Sequence, residues 1–414
     1  MSLLASRFRE TVAKNKDFRM KNEVEVDVAY PSGFLSFDFL NGTVVHVQSK
    51  ERQFQYNSVG IVDGSMVTVI GRSGCGKTTW IMQTAANIMR PFKNSCIYHD
   101  DIEGGIVQSR KEQLMKMYGD ELNERYICRN SGITAENFYE RIKLIHDLKM
   151  QDRSDYEYDT GLYSSTGERI YKLEPTIYIL DSLAMLMPDK YTEEDELSGQ
   201  MAATAAAKTN SAIFKRIIPM LKAANIILFV VNHITEDVSI NPMVHKKTQI
   251  AYLKQGETLG GGRVAVYLSN LLLRFDDNSK LQSSDTFGIH GIMVDVTLLK
   301  SRTSAAGRSV PLVFDYDNGF DPELSLFVLV KEMGYVKGAG AYLYFGEDKD
   351  KAVKFSQKQF KEKLATNPDL QQAFSEVCMA ALQELITKSE VAENNYDSNA
   401  FDITQSILQL NNVA

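Results

Sequence analysis

An α/β fold, with a mainly parallel twisted sheet and helices on both faces, is what this sequence predicts, and three observations carry the expectation. The apolar run MVTVI, residues 66–70, leads straight into GRSGCGKTT, and a helical pattern follows over residues 78–90. Two further apolar runs, TIYILDS and IILFVVNH, each end in a polar residue and alternate with helical segments. Runs this apolar suit strands buried on both faces, and the alternation with helices specifies parallel crossovers. A chain of 414 residues is also long enough to bury such a core and carry smaller appendages.

The loop itself is the most specific signal in the chain. Gly71, Arg72, Ser73, Gly74, Cys75, Gly76, Lys77, Thr78 and Thr79 fit GxxxxGK[ST], a phosphate-binding loop. Glycines let successive backbone N–H groups turn inward around a triphosphate, where a Cβ would block the approach. Lys77 brings a compact positive charge to the outer phosphates, and the Thr78 hydroxyl suits Mg²⁺. The following helix aims its positive end at the same place. ATP and Mg²⁺ are the expected cofactors. The strand TIYILDS then supplies the second acidic position of such ATPases: Asp181 at its end is expected to hold Mg²⁺ through water.

Bulk properties exclude several classes. Hydrophobic residues make up 44 % and charged residues 24 % of the chain, an ordinary soluble balance. No apolar run approaches bilayer length, and MSLLASRFRE lacks the apolar region of a secretory signal, so no membrane partner is expected. Cys75, Cys96, Cys128 and Cys378 have no CxxC spacing, which argues against a zinc site or disulfide framework and for a reducing cytoplasm. The net charge of −7 counts mildly against a nucleic-acid partner, although a local basic stripe can sit on an acidic protein.

Taken in order, Leu4, Phe8 and Val12 form one stripe of a short amphipathic helix, and EVEVDVAY alternates with period two as a half-buried strand. GFLSFDFLNG predicts a helical turn closed by glycine, and residues 43–62 a hairpin. SCIYHD is a second core strand ending among Asp100, Asp101 and Glu103. Helices are expected over 106–126, 135–150 and 199–224, with a surface hairpin around Thr166-Gly167. MVDVTLLKSR and RSVPLVFDY are two late strands, and Asn318-Gly319 closes the core. Beyond it come ELSLFVLVKEMGYV, a small strand in GAYLYF, helices near 356–365 and 368–388, and a polar tail.

In this order the motifs resemble RecA-type strand-exchange recombinases, most of all their bacteriophage (UvsX) branch. The stretches that carry the resemblance are YPSGFLSFDFLNG, GRSGCGKTT, IYILDS, VVNH, TLGGGRV, LLKSRT and FDYDNGFDP, spread over residues 29–340. The resemblance implies a RecA-like P-loop ATPase core at 31–319. It also implies a subunit-linking helix and strand at 1–30 and a small α+β C-terminal domain at 320–414.

Roles follow by position. Glu103, in DDIEGGI, matches the carboxylate that orients the attacking water, with Asp100 and Asp101 as competitors because the match needs one extra residue. His233 matches the side chain that reports the γ-phosphate to the DNA loops. Lys300 and Arg302 match the basic pair that reaches onto a neighbour's nucleotide. Two DNA loops are implied: residues 188–199, conspicuously acidic, and residues 235–262, with His245, Lys246, Lys247 and Lys254 before Gly260, Gly261, Gly262 and Arg263. Basic side chains there suit phosphates, and the glycines offer freedom to order on binding.

The implied function is an ATP-dependent recombinase that forms a helical filament on single-stranded DNA and pairs it with homologous duplex. Mediator and single-strand-binding proteins are the implied partners, and the cytoplasm, a host's if phage-encoded, the implied location. A hexameric helicase on the same core and a regulatory recombinase paralogue are the rival readings. No primase-binding domain is visible, and a pure binder has no need of Lys77, Glu103 and Asp181 together.

Overall fold

The computed structural model describes residues 28–48, 53–163, 168–192, 199–236, 252–281, 287–340 and 342–386. A ten-stranded sheet organises them. Its strands in chain order are β1 (Met66–Gly71), β2 (Ile97–Asp101), β3 (Tyr126–Arg129), β4 (Thr176–Asp181) and β5 (Ile226–Glu236). After these come β6 (Glu257–Leu259), β7 (Leu271–Leu281), β8 (Gly291–Ser301), β9 (Ser309–Asp315) and β10 (Gly319–Asp321). Across the sheet the order is β10-β9-β8-β7-β1-β5-β4-β2-β3, with β6 beside the end of β5. From β7 to β3 all pairs are parallel, and β8, β9 and β10 extend the sheet antiparallel. The mainly parallel α/β core expected from the sequence is therefore present.

Strand parity distributes the two faces. In β4, Ile177 and Ile179 join the apolar layer that contains Trp80, Ile81 and Ala85 of helix α1 (Lys77–Met89), whereas Tyr178 and Leu180 join the opposite layer. That opposite layer holds Phe138 of α2 (Ala135–Gln151) and Phe214 of α3 (Gly199–Ala224). Trp80, fully buried, meets Phe37, Phe229 and Phe275 edge-on, so the helix after the phosphate loop is pinned to the sheet by aromatic contacts. Thr134 caps α2 by accepting from the Asn137 amide at 3.2 Å.

Four expectations change. Residues 106–126 are not one helix: Gln108–Met115 and Asp120–Arg125 are separated by Lys116 and Gly119 at φ 51° and 56°, and the chain then enters β3. Four residues of YICR at the sheet edge are too short a run to announce a strand in sequence. β7 was hidden as well, because only Ser269 and Asn270 separate it from the short helix Val264–Leu268. The boundary at 319/320 falls inside β10. Helix α4 (Pro322–Glu332), begun by Pro322 and capped by Asp321, packs into the same apolar cluster as the sheet. The hairpin of Thr43–Gln48 and Gln53–Ser58 and that of Glu157–Tyr163 and Arg169–Leu173 form as expected. Only Ala29 and Tyr30 of the EVEVDVAY segment lie in a described strand, paired with Val62 and Ile61. The helix expected around Leu4, Phe8 and Val12 and the C-terminal tail lie outside the described residues.

One buried acid in this scaffold carries a prediction. Asp38, in the helical turn Leu35–Leu40, is fully buried, with its carboxylate accepting from the Ser32 amide at 2.9 and 3.0 Å. Burial pushes its pKa up to about 7 against that donor. The folded form therefore binds a proton more readily than the unfolded chain. Its stabilising contribution is complete below the ordinary carboxyl range and is lost as pH rises through about 7. Asp38→Asn is expected to gain stability over the parent as pH rises from about 6 to about 8, by at most ~1.4 kcal/mol per pH unit. Chemical denaturation at the two pH values checks it; a difference independent of pH would mean that Asp38 does not titrate in the fold.

Candidate active site

The phosphate loop joins β1 to α1. Gly74 and Gly76 lie at φ 85° and 76°, and a Cβ on Gly76 would come within 2.7 Å of the Phe320 ring. A side chain is disfavoured at Gly74 by backbone conformation alone and at Gly76 on both conformational and steric grounds. Lys77 is buried, and its Nζ donates to the Gly71 and Arg72 carbonyls at 3.1 and 2.6 Å. Burial lowers its pKa. Arg72 and Ser73 are exposed, and the buried Cys75 thiol donates to the Arg72 carbonyl. The loop is thus a cradle of backbone with one lysine folded back over it.

Parity then selects the acids. Asp181 is three positions on from Tyr178 and so faces α1; Thr78 Oγ1 donates to its Oδ2 at 2.5 Å. Asp181 Oδ1 is buried and has no hydrogen-bond partner among the described residues. Burial pushes this carboxyl up to about 6, opposed first by the Thr78 hydroxyl and raised further by Glu103 and Asp101. An orphaned carboxylate oxygen beside a threonine hydroxyl fits a hard cation such as Mg²⁺, which takes oxygen ligands. Thr78 and Asp181 are the residues that would hold it.

The three candidate carboxylates at the end of β2 and just beyond it separate cleanly. Asp100 faces α2, where it is ion-paired with Arg141 and accepts from the Tyr178 hydroxyl at 2.5 Å. Asp101 lies on the α1 side in register with Asp181, and its Oδ1 accepts from the Gly104 amide at 2.8 Å. Glu103 projects beyond the strand and takes the Nε2 of His233 at 2.8 Å. His233 follows the parity of Phe229 and Val231 in β5, and its Nδ1 lies 3.4 Å from Lys77 Nζ. Lys77, Thr78, Asp181, Glu103 and His233 are therefore gathered by four elements at the carboxyl end of the parallel strands, where ligands bind in open α/β sheets.

Asn232, which the sequence did not single out, connects this cluster to the segment that follows. It points to the other face of β5, donates through Nδ2 to the Gly260 carbonyl at 2.9 Å and accepts from the His233 amide. The segment at 235–262 was expected to be a loop throughout, but its two ends form a ribbon in which Ile234, Thr235 and Glu236 pair with Leu259, Thr258 and Glu257. Arg274 of β7 anchors the ribbon, with both Nη atoms 2.7 Å from Glu257 and Nε 2.7 Å from Asp276. The Arg274–Glu257 pair is buried and bidentate, which holds Arg274 protonated and lowers Glu257. Nothing in the spacing of Glu257 and Arg274 announces this pair; only the antiparallel β6 brings them together.

The glycines differ from expectation in their reason. A Cβ on Gly261, at φ 69°, would lie 2.5 Å from the Leu183 carbonyl, and one on Gly260 would meet Ala184 at 2.6 Å. They permit close packing on the turn after β4 and do not confer slack. Lys254 Nζ lies 3.5 Å from Asp276, and Arg263 is exposed at the start of the Val264–Leu268 helix. His245, Lys246 and Lys247 lie outside the described residues, as do residues 193–198 of the acidic segment.

Lys300 and Arg302 are not brought to the site. Lys300 pairs with Leu272, which pairs with Thr68, so the end of β8 lies toward the start of β1, away from Gly71. Lys300 Nζ donates to the Tyr267 carbonyl at 2.6 Å, and Arg302 is exposed.

Curated proteins match parts of the chain. The Deinococcus radiodurans "Protein RecA" is 22 % identical over 217 residues, which cover 50 % of this chain and 52 % of that protein. The "Recombination and repair protein" of Enterobacteria phage T4 is 25 % identical over 169 residues, 41 % of this chain and 39 % of that one. The chain resembles RecA-type recombinases. The matches span about half of the bacterial relative and two-fifths of the phage one. A RadB recombinase crystal structure covers 63 % of this chain and 92 % of its own at 18 % identity, with a TM-score of 0.36. No family model matches. No described helix is long and apolar enough to cross a membrane.

Proposed function

We propose that this protein is a DNA-dependent ATPase that polymerises on single-stranded DNA and carries out homologous pairing and strand exchange. The observation that carries the proposal is the gathering of Lys77, Thr78, Asp181, Glu103 and His233 at one end of the sheet, joined through Asn232 to the ribbon of Ile234–Glu236 and Glu257–Leu259.

Each side chain has a task in that reading. Lys77 leaves its own loop carbonyls for the outer phosphates of ATP, exchanging two neutral acceptors for anionic ones. Thr78 and Asp181 hold Mg²⁺, which neutralises charge on the β- and γ-oxygens when bound. Glu103 orients water for in-line attack and accepts its proton. His233 lies between Glu103 and Lys77, where a γ-phosphate would compete for its ring nitrogens. Movement of His233 shifts Asn232 and hence Gly260, and so transmits nucleotide state to the DNA-binding segment. His245, Lys246, Lys247, Lys254 and Arg263 contact phosphates, with the ribbon fixed by Arg274. The segment 1–30 is the element that links neighbouring subunits, and the neighbour's Lys300 and Arg302 complete the ATP site. The division into a linking segment, a core and a C-terminal domain belongs to the same reading.

Negative-stain imaging with long single-stranded DNA and a slowly hydrolysed ATP analogue tests it. Continuous helical filaments that require nucleotide are expected. Closed six-membered rings threaded on DNA would replace this reading with a helicase, and bare DNA would remove DNA as the partner.

A further inference from the structure

We propose that, in the absence of nucleotide, Glu103, Asp181 and His233 also form a binding site for a borderline transition-metal dication, of which Zn²⁺ is the type; it shares Asp181 with the Mg²⁺ position, so the two cations exclude one another. One carboxylate oxygen from each acid and one ring nitrogen of His233 lie within 4.8 Å of one another. Asp181 contributes a second observation: it is buried and its Oδ1 is unpartnered. Among the described residues that oxygen has no donor, and a cation would supply the missing partner.

The donor set selects the metal. Mg²⁺ prefers an octahedron of oxygens and several waters, so a histidine nitrogen is a poor ligand for it. Zn²⁺, Co²⁺ and their neighbours accept imidazole and carboxylate together at about 2 Å, typically with three protein ligands and an open position. Two carboxylates balance the dication, and the Glu103 side chain, 39 % exposed, has room to adjust as the cluster closes.

The proton balance is local. His233 Nε2 faces a carboxylate and therefore carries the ring proton; on ligation through Nε2 that proton is held at Nδ1. The 3.4 Å contact from Nδ1 to Lys77 is given up, and Lys77 keeps its two carbonyl acceptors. The positive charge of Lys77 opposes the metal and sets the affinity below that of a structural zinc site. Occupancy would tie the water-orienting carboxylate to the γ-phosphate reporter and so hold the site shut. The site stands on this geometry whether or not the chain forms filaments on DNA.

Co²⁺ is the probe, because it reports its own coordination through visible absorption. Titrating the nucleotide-free, full-length protein with CoCl₂ should give a d–d band that saturates at one equivalent. His233→Gln and Glu103→Gln should each weaken that binding by at least about tenfold, since even partners outside the coordination shell are worth that much. Glu103 lies outside the core, so its variant keeps the test valid should the His233 variant fold poorly. His146→Gln, an exposed histidine paired with Asp147 elsewhere on the surface, should leave the band unchanged. No band, a band unaffected by both site variants, or a band lost only in His146→Gln would each overturn the proposal.

Discussion

Glu103→Gln should reduce ATP turnover on single-stranded DNA by about 10²–10⁴-fold while leaving nucleotide and DNA binding intact. The amide keeps the size of the side chain and can still meet His233 Nε2, so the position is filled and only its basicity is lost. The same substitution at Asp101 should be milder in turnover and costlier in stability, because Asp101 is buried and its carboxylate closes the turn to Gly104. Single-turnover hydrolysis, with binding measured separately by fluorescence, distinguishes the two. Loss of DNA binding together with turnover in Glu103→Gln would show that the carboxylate supports the fold of the site and not the water.

Lys300→Ala and Arg302→Ala should each depress DNA-stimulated hydrolysis by about 10³-fold, the scale of an arginine supplied in trans. β-Sheet register explains why the effect must come from a neighbour: Lys300 pairs with Leu272 and through it is level with Thr68, near the start of β1, whereas the phosphate loop opens at its end. No side-chain rotation carries it over that length of strand. Complementation is the decisive measurement. Chains with Lys77→Ala should restore activity to chains lacking Lys300 and Arg302, because each mixture creates junctions with one intact loop and one intact basic pair. If mixing restores nothing, the pair acts within its own subunit or not on nucleotide at all.

Legibility in the sequence tracked how local each feature is. GRSGCGKTT, the Asp at the end of TIYILDS and the His at the end of VVNH were readable because motif and strand end coincide within a few residues. The choice among Asp100, Asp101 and Glu103 was not readable. It depends on which face of β2 each side chain takes and on Arg141, forty-one residues away, claiming the first. β3 escaped notice because four residues at an edge carry little periodicity, and β7 because a short helix runs almost directly into it.

The sequence by itself determined the α/β class, the parallel core and the GRSGCGKTT loop between strand and helix, since each rests on local spacing and hydrophobic period. Only the tertiary structure decided three other features. It turned Asp100 away from the site and Glu103 onto His233, it bound Arg274 to Glu257 under the ribbon, and it put Lys300 and Arg302 at the opposite end of the sheet from the loop. The physical reason is shared. A strand's alternation fixes which residues travel together, but which face meets which helix, and which end meets which loop, is set by contacts between segments distant in the chain.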